Sequence, residues 1–515
     1  MNFRTTTGAL VPRAGRVMLL ALLALHGLLA QLDPVVRADD RAADSDAASP
    51  RRPNIVILMA DDLGVGEVGC YGQARIRTPS IDRLASEGMR FLQAYAGSPV
   101  CAPSRCVLLT GRHAGHAFIR NNSESGGWER DAPEGQRPLP ADETTLAERL
   151  KASGYATGAF GKWGLGGPGS TGHPCYQGFD TFYGYLCQRV AHNYYPTHLW
   201  RNHDVDILGN TWFRSHQKLT EPLADRAAYD ERFAGPVYAP DRIVEQALAF
   251  VETHRDEPFL LYFATPVPHA ALQVPNDSLD EYAGAFDETP YLGEKSYLPH
   301  PTPRAAYAAM VTRMDRDFGR LLERIESLGL SDDTIVIMTS DNGPTFNGGT
   351  DSTFFDSALG RRGLKTQVFE GGIRVPLIVR WPDRIAAGTT SEFPVAFQDL
   401  LPTLIEAIGE EPVAGLDGIS LLPTWTGQAE RQIPRTPLYW ELGSAQALRI
   451  GDHKLVRLTD RQGATRTMLF DLASDPNETT DLSERESETL SMMLERIRAE
   501  RTPSPEFPTP YDDGR

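Results

Sequence analysis

The chain has 515 residues, 41% hydrophobic and 23% charged, a composition that supports a large buried core and excludes a mainly disordered or low-complexity chain. Its length allows two domains. Lys and Arg total 51 against 68 Asp and Glu, a net charge of −17, so nucleic acid and anionic membrane surfaces are poor partners, and an anionic substrate needs a local cluster of positive charge.

Arg4, Arg13 and Arg16 precede the apolar run Val17–Ala30, and small residues lead to a cleavage site at Val36-Arg37-Ala38. This pattern reads as a secretory signal peptide over 1–38, the alternative being an uncleaved signal anchor. The run is shorter than the roughly 20 residues of a membrane span. An exported protein without stable membrane insertion is expected, periplasmic or secreted, or lysosomal or extracellular in a eukaryotic host. Residues 39–52 are polar and small and read as a flexible leader.

Folded structure is expected from Asn54. Asn54–Met59 is a continuous apolar, β-branched run, the mark of a strand buried on both faces. A helix follows Thr78-Pro79, with Ile81, Leu84, Ala85 and Met89 at helical spacing. Thr145-Leu146-Ala147-Glu148 is a capping box opening a second helix that ends near Gly154. Tyr155–Phe160, Phe259–Ala264, Thr334–Thr339 and Val375–Trp381 read as further strands, and Arg304–Leu328 as a long amphipathic helix. Alternating strands and helices predict an α/β domain over 53–430, a large, mostly parallel sheet sandwiched by helices. Beyond it, short alternating segments and a charged helix near Ser483–Arg498 predict a smaller α+β domain over 431–515, an antiparallel sheet plus helix.

Asp61-Asp62 and Asp341-Asn342 each follow a buried strand, where open α/β sheets build their sites. Converging, they form an all-oxygen cage suited to Ca²⁺ or Mg²⁺; separately, they are ordinary strand-end turn residues. Cys101 opens Cys101-Ala102-Pro103-Ser104-Arg105 at a helix N-terminus. It reads either as a low-pKa nucleophile or as a disulfide cysteine.

The Cys101–Arg105 segment with Thr110-Gly111 resembles the signature of the type I, formylglycine-dependent sulfatases of the alkaline phosphatase-like superfamily. Asn54–Gly64, Gly161-Lys162-Trp163, Pro268-His269, Ser340–Gly343, Gly363-Leu364-Lys365 and Glu370–Pro376 look like further sulfatase motifs, in family order. The resemblance implies a mixed sheet of that superfamily's type and one Ca²⁺ on Asp61, Asp62, Asp341, Asn342 and residue 101. It also implies that Cys101 is oxidised to formylglycine (3-oxoalanine), with the aldehyde hydrate as nucleophile. A formylglycine-generating or anaerobic sulfatase-maturating enzyme is then a required partner. Arg105 matches the arginine that holds the hydrate, Lys162 and Lys365 the sulfate-binding lysines, and His269 the histidine that protonates the leaving alcohol.

One position departs from the family. A histidine is common two residues after the lysine, where this chain has Gly164. His113, His116, His173 and His192 are candidate substitutes, and His116 is preferred because it shares the segment that carries Cys101. The stretch Cys187–Asn202 packs aromatics among Arg, His and Asn, a composition suited either to a sugar ring, with His192 and Tyr194 as expected substrate contacts, or to a long, partly buried loop whose aromatics fill core. A sulfated carbohydrate of galactose or N-acetylgalactosamine type is the expected substrate. The rivals are a phosphoester or phosphonate ester hydrolase of the same superfamily and a non-catalytic glycan-binding relative. With Cys101 converted, Cys70, Cys106, Cys175 and Cys187 allow two disulfides in three connectivities, Cys175–Cys187 favoured by separation.

Overall fold

The Asn54–Ala60 strand is buried along its whole length and is flanked on both sides by parallel partners. Ile55 pairs with Leu260 on one side, and Asn54 with Thr334 on the other. Ala156–Lys162 and Thr181–Tyr185 extend the parallel block beyond Phe259–Ala264. Antiparallel strands close both flanks of the resulting ten-stranded sheet: Leu377–Arg380 beside Thr334–Ser340, and the His198–Arg201/Asp204–Ile207 hairpin at the far edge. This computed structural model describes residues 52–127 and 129–512. The expected signal peptide and nearly all of the leader lie outside the described residues.

Strand alternation explains why the central strand reads as continuously apolar. Val56, Leu58 and Ala60 pack on one face with Ile243, Val244, Met310, Met314 and Phe318 from the helices Ala239–Thr253 and Pro303–Ser327. Ile55, Ile57 and Met59 pack on the other with Val107, Leu108, Leu401 and Leu404 from Cys101–Thr110 and Leu400–Ala407. Both faces are covered, so neither set can be polar.

Local signals set several boundaries. Thr145 accepts from the Glu148 N–H at 3.2 Å and Glu148 accepts from the Thr145 N–H at 2.8 Å, the expected reciprocal cap. The first helix, Pro79–Glu87, stops earlier than its apolar spacing implies. Met89 instead opens a short strand paired with Val379. Gly88 permits this, since a Cβ there would stand 2.4 Å from the Val379 carbonyl oxygen. The strand expected at Tyr155–Phe160 runs Ala156–Lys162 and so delivers Lys162 to its carboxyl end.

The C-terminal strands Leu438–Leu442, Ala445–Ile450, His453–Thr459 and Thr465–Asp471 form an antiparallel meander. The helix Ser487–Ala499 covers one face through Met493 and Ile497. The other face shares a core with Tyr95, Val368 and Ile373, and Trp440 Nε1 donates to the Ala96 carbonyl at 2.8 Å. The described residues all fall in one compact unit, Pro50–Arg515. Among the described residues no helix is long and apolar enough to cross a membrane.

The favoured disulfide does not form, and all five cysteines are free thiols. Cys175 and Cys187 lie before and after the Thr181–Tyr185 strand. Cys175 Sγ faces Asn202 Oδ1 at 3.7 Å, whereas Cys187 Sγ faces the Gly126 and Gly135 carbonyls at 3.7 and 3.4 Å, so the two thiols are turned to different neighbours.

Candidate active site

The register that pairs Ala60 with Ser340 places two strand ends side by side, and the acidic residues leave them together. The Asp341 N–H donates to the Ala60 carbonyl at 3.0 Å, and the Asp62 N–H donates to Asp341 Oδ1 at 3.1 Å. Asp62 adopts a left-handed backbone with φ of 68°. That conformation costs an aspartate about 1 kcal/mol or more, and such strain is common at functional sites.

The Cys101 helix points its N-terminus into this cluster. Cys101 Sγ lies 3.4 Å from Asp61 Oδ1, 3.9 Å from Asp62 Oδ1 and 3.5 Å from Lys162 Nζ. One turn on, Arg105 donates to Asp341 Oδ2 through Nε at 3.0 Å and Nη2 at 2.8 Å, and through Nη1 to the Lys162 carbonyl. Lys162 Nζ is 2.6 Å from Asp61 Oδ2, and Lys365 Nζ is 2.7 Å from Asp62 Oδ1. His269 Nε2 lies 3.6 Å from Asp62 Oδ2, and its Nδ1 lies 2.5 Å from the Ala270 carbonyl. Three carboxylates and three permanent cations thus meet in a buried space.

Burial and these partners set the protonation states. Burial alone would raise Asp61, but Lys162, His269 and Arg105 hold it well below the usual carboxylate range. Burial, reinforced by the Asp61 charge, pushes Asp341 up to about 6. Burial, then Lys365 and Lys162, pushes His269 well below its ordinary value. Burial, then Asp341 and Asp61, pushes the Cys101 thiol well above its ordinary value. The helix N-terminus favours an anion at Cys101, while the neighbouring carboxylates and exclusion of water oppose it.

The oxygen set fits a hard cation. Asn342 Nδ2 donates to Asp62 Oδ1 at 2.8 Å and to the Gly343 carbonyl at 2.9 Å, while its Oδ1 is buried without a hydrogen-bond partner among the described residues. An unpaired amide oxygen beside Asp61, Asp62 and Asp341 is the donor chemistry of a calcium site.

The structure therefore brings together Asp61, Asp62, Cys101, Arg105, Lys162, His269, Lys365, Asp341 and Asn342. His192 joins them from the aromatic stretch, with its ring stacked on His269 at 5.0 Å and its Nδ1 3.0 Å from His216 Nε2. Two expectations need correction. Tyr194 is not a substrate contact: it is fully buried, with its hydroxyl 2.6 Å from the Pro266 carbonyl and 2.5 Å from the His269 carbonyl. It positions His269 from behind. His116 is not gathered at Cys101. It follows the opposite end of a ten-residue helix, roughly 15 Å along the axis, and its Nδ1 pairs with Asp417 at 2.9 Å. Closeness in sequence becomes separation when the intervening segment is helical.

Asn122 was not legible from the sequence. Its Oδ1 accepts from the Ala102 N–H at 3.0 Å and so caps the Cys101 helix from twenty residues away. Only the returning loop creates this contact.

Comparison with known proteins decides the family. The sulfatase family model matches residues 53–410. The chain belongs to the sulfatase family. A second model, the C-terminal region of N-sulphoglucosamine sulphohydrolase, matches residues 363–502. Steryl-sulfatase of Mus musculus is 31% identical over 476 residues, covering 81% of this chain and 70% of the relative. N-acetylgalactosamine-6-sulfatase of Rattus norvegicus is 30% identical over 422 residues, covering 79% of this chain and 72% of the relative. Among solved structures, Ps i-CgsB in complex with k-i-k-neocarrahexaose superposes with a TM-score of 0.68 at 26% identity, covering 87% of this chain and 92% of that one. This sulfatase is accordingly a sulfuric ester hydrolase with an alkaline phosphatase-like fold.

Proposed function

We propose that this sulfatase is exported, binds one calcium ion, acts through Cys101 oxidised to formylglycine, and cleaves sulfate esters of carbohydrates of galactose or N-acetylgalactosamine type. The observation that carries the metal reading is the unpaired, buried Asn342 Oδ1 among three carboxylates. Asp61, Asp62, Asp341, Asn342 and the oxygen of modified residue 101 would hold the ion. When present, the calcium ion supplies concentrated positive charge and the aldehyde hydrate supplies an oxygen nucleophile.

The chain's own residues perform the remaining work. Lys162, Lys365 and Arg105 are 2%, 7% and 0% exposed, so their charges act on a bound sulfate with little screening by water. Arg105 also fixes Asp341 and the Lys162 backbone, which holds helix and strand in register at the site. His269 keeps Nδ1 at the Ala270 carbonyl, leaving Nε2 to move a proton at the departing alcohol oxygen. His192 stacks beside it and extends this wall toward the leaving group.

The carbohydrate reading is supported by His192, which stacks beside His269, and by the sugar-directed names of two of the three similar proteins. Mass spectrometry of the peptide containing Cys101, from protein co-expressed with a maturating enzyme, is expected to show the aldehyde mass. The same protein is expected to release sulfate from a sulfated monosaccharide panel. Active protein carrying an unmodified Cys101 thiol would overturn the nucleophile assignment.

A further inference from the structure

Two buried glutamine amides next to the site lack partners. Gln188 is 1% exposed with neither Nε2 nor Oε1 hydrogen-bonded, and Gln136 is 4% exposed with Nε2 unpaired, among the described residues. Leaving a buried amide unpaired costs about 1–3 kcal/mol, so an unpaired group in a native fold calls for an explanation such as a ligand. The two glutamines come from different loops, and the Gln136 side chain reaches the Gln188 backbone, whose N–H donates to Gln136 Oε1 at 3.4 Å.

Their position links them to the chemistry. Gly164 lies two residues past Lys162, with φ of 84° and its N–H donating to the Leu186 carbonyl at 3.2 Å. A Cβ at Gly164 would stand 2.9 Å from Gln188 Cγ and 3.1 Å from Gln188 Nε2. The missing side chain at 164 is what makes room for the Gln188 amide. Gln136 lines a cleft with Ser123, Glu124, Ser125, Arg137 and Pro138, while Arg189, next to Gln188 in the chain, lines a second cleft with Gly127, Val190, His198 and Trp212.

The unpaired atoms comprise two donor nitrogens and one acceptor oxygen. A sulfate oxygen only accepts, so it would leave Gln188 Oε1 unsatisfied. A hydroxyl donates one hydrogen bond and accepts two, which matches the set. We propose that Gln188 and Gln136 form a subsite for hydroxyl groups of the sugar that carries the sulfate, an inference resting on the sulfatase reading above. Gln188 is then a specificity determinant, separating polyhydroxylated from aryl leaving groups.

Gln188→Met keeps the side-chain length and removes the amide. Wild type and variant are compared on two substrates: the best monosulfated galactose or N-acetylgalactosamine of a panel, and 4-nitrophenyl sulfate, which has no sugar hydroxyl. The expected result is a loss of about 10- to 100-fold in kcat/KM on the sugar and less than about threefold on the aryl ester. Thermal stability is expected to hold or rise, because an unpaired buried amide is gone. Equal losses on both substrates would overturn the subsite in favour of a shared structural or catalytic role. No loss on either would overturn it in favour of amides satisfied by water alone. Wild-type activity on the aryl ester but on no sulfated sugar would refute the subsite and leave the sulfatase reading standing, whereas no activity on either ester would refute that reading itself.

Discussion

Asn342 donates Nδ2 to Asp62 Oδ1 at 2.8 Å, and this bond turns its own Oδ1 into the buried, unpaired acceptor of the acidic cluster. A ligand that binds only the folded state stabilises it by mass action, by about 2.7 kcal/mol at one hundred times its dissociation constant. Calcium added to chelator-treated protein is therefore expected to raise the melting temperature. Asn342→Leu is expected to weaken calcium binding at least about tenfold, because a ligand is lost and Asp62 loses a donor. Calorimetry on both proteins checks this, and equal affinities would remove Asn342 from the site.

Tyr194 controls the histidine without touching substrate. Tyr194→Phe removes the hydroxyl shared by the Pro266 and His269 carbonyls. The expected stability loss is about 1 kcal/mol. The expected kcat loss is about tenfold, with KM nearly unchanged, because small misplacements of a proton-transfer group are costly. A changed KM at constant kcat would argue for the substrate contact that the structure denies.

His300 predicts an acid-sensitive fold. Burial pushes it from 6.5 down to about 3, with Arg226 adding to the effect. A depressed folded value means that the unfolded chain binds the proton more tightly. The stability contributed by neutral His300 is thus complete above about 6.5 and is lost as pH falls toward 3. Its Nδ1 accepts from the Thr302 N–H at 3.0 Å, a bond that an asparagine oxygen can replace. His300→Asn is expected to flatten the dependence of the melting temperature on pH between 6 and 4, by a few degrees of the total. Parallel curves for the two proteins would sink the assignment.

Lys454 ties the small sheet to the segment that carries Lys365. Its Nζ lies 2.9 Å from both Glu370 Oε1 and Glu478 Oε1, with no side-chain exposure. Lys454→Met takes away the ion pair of Glu478 and leaves Glu370 with Arg374 and Tyr95, and is expected to cost about 3 kcal/mol in denaturant unfolding. Adding Glu370→Gln and Glu478→Gln is expected to recover part of that loss. A single-variant cost below about 1 kcal/mol would show that the pair is not closed in solution.

Much of this molecule is legible without coordinates. The apolar runs at Asn54 and Thr334 specify buried parallel strands, because only side chains covered on both faces can be apolar throughout. The Thr145 capping box specifies a helix start by local bonding alone. The motifs around Asp61, Cys101, Lys162, His269, Asp341 and Lys365 name the residues that the fold brings together, because each is a short, contiguous signal. What fails in sequence reasoning is distance. Met89 leaves its helix because Val379 offers a strand pair, and His116 leaves the site because a helix carries it away. Tyr194 turns to two backbone carbonyls, Cys175 and Cys187 face different neighbours, and Gln188 fills the space over Gly164. The sequence by itself determined the family and most of the elements and named the candidate reactive residues, since these rest on local pattern and residue chemistry. The tertiary structure alone decided which histidine stands at the site and which buried amides remain unpaired, since both depend on contacts between segments far apart in the chain.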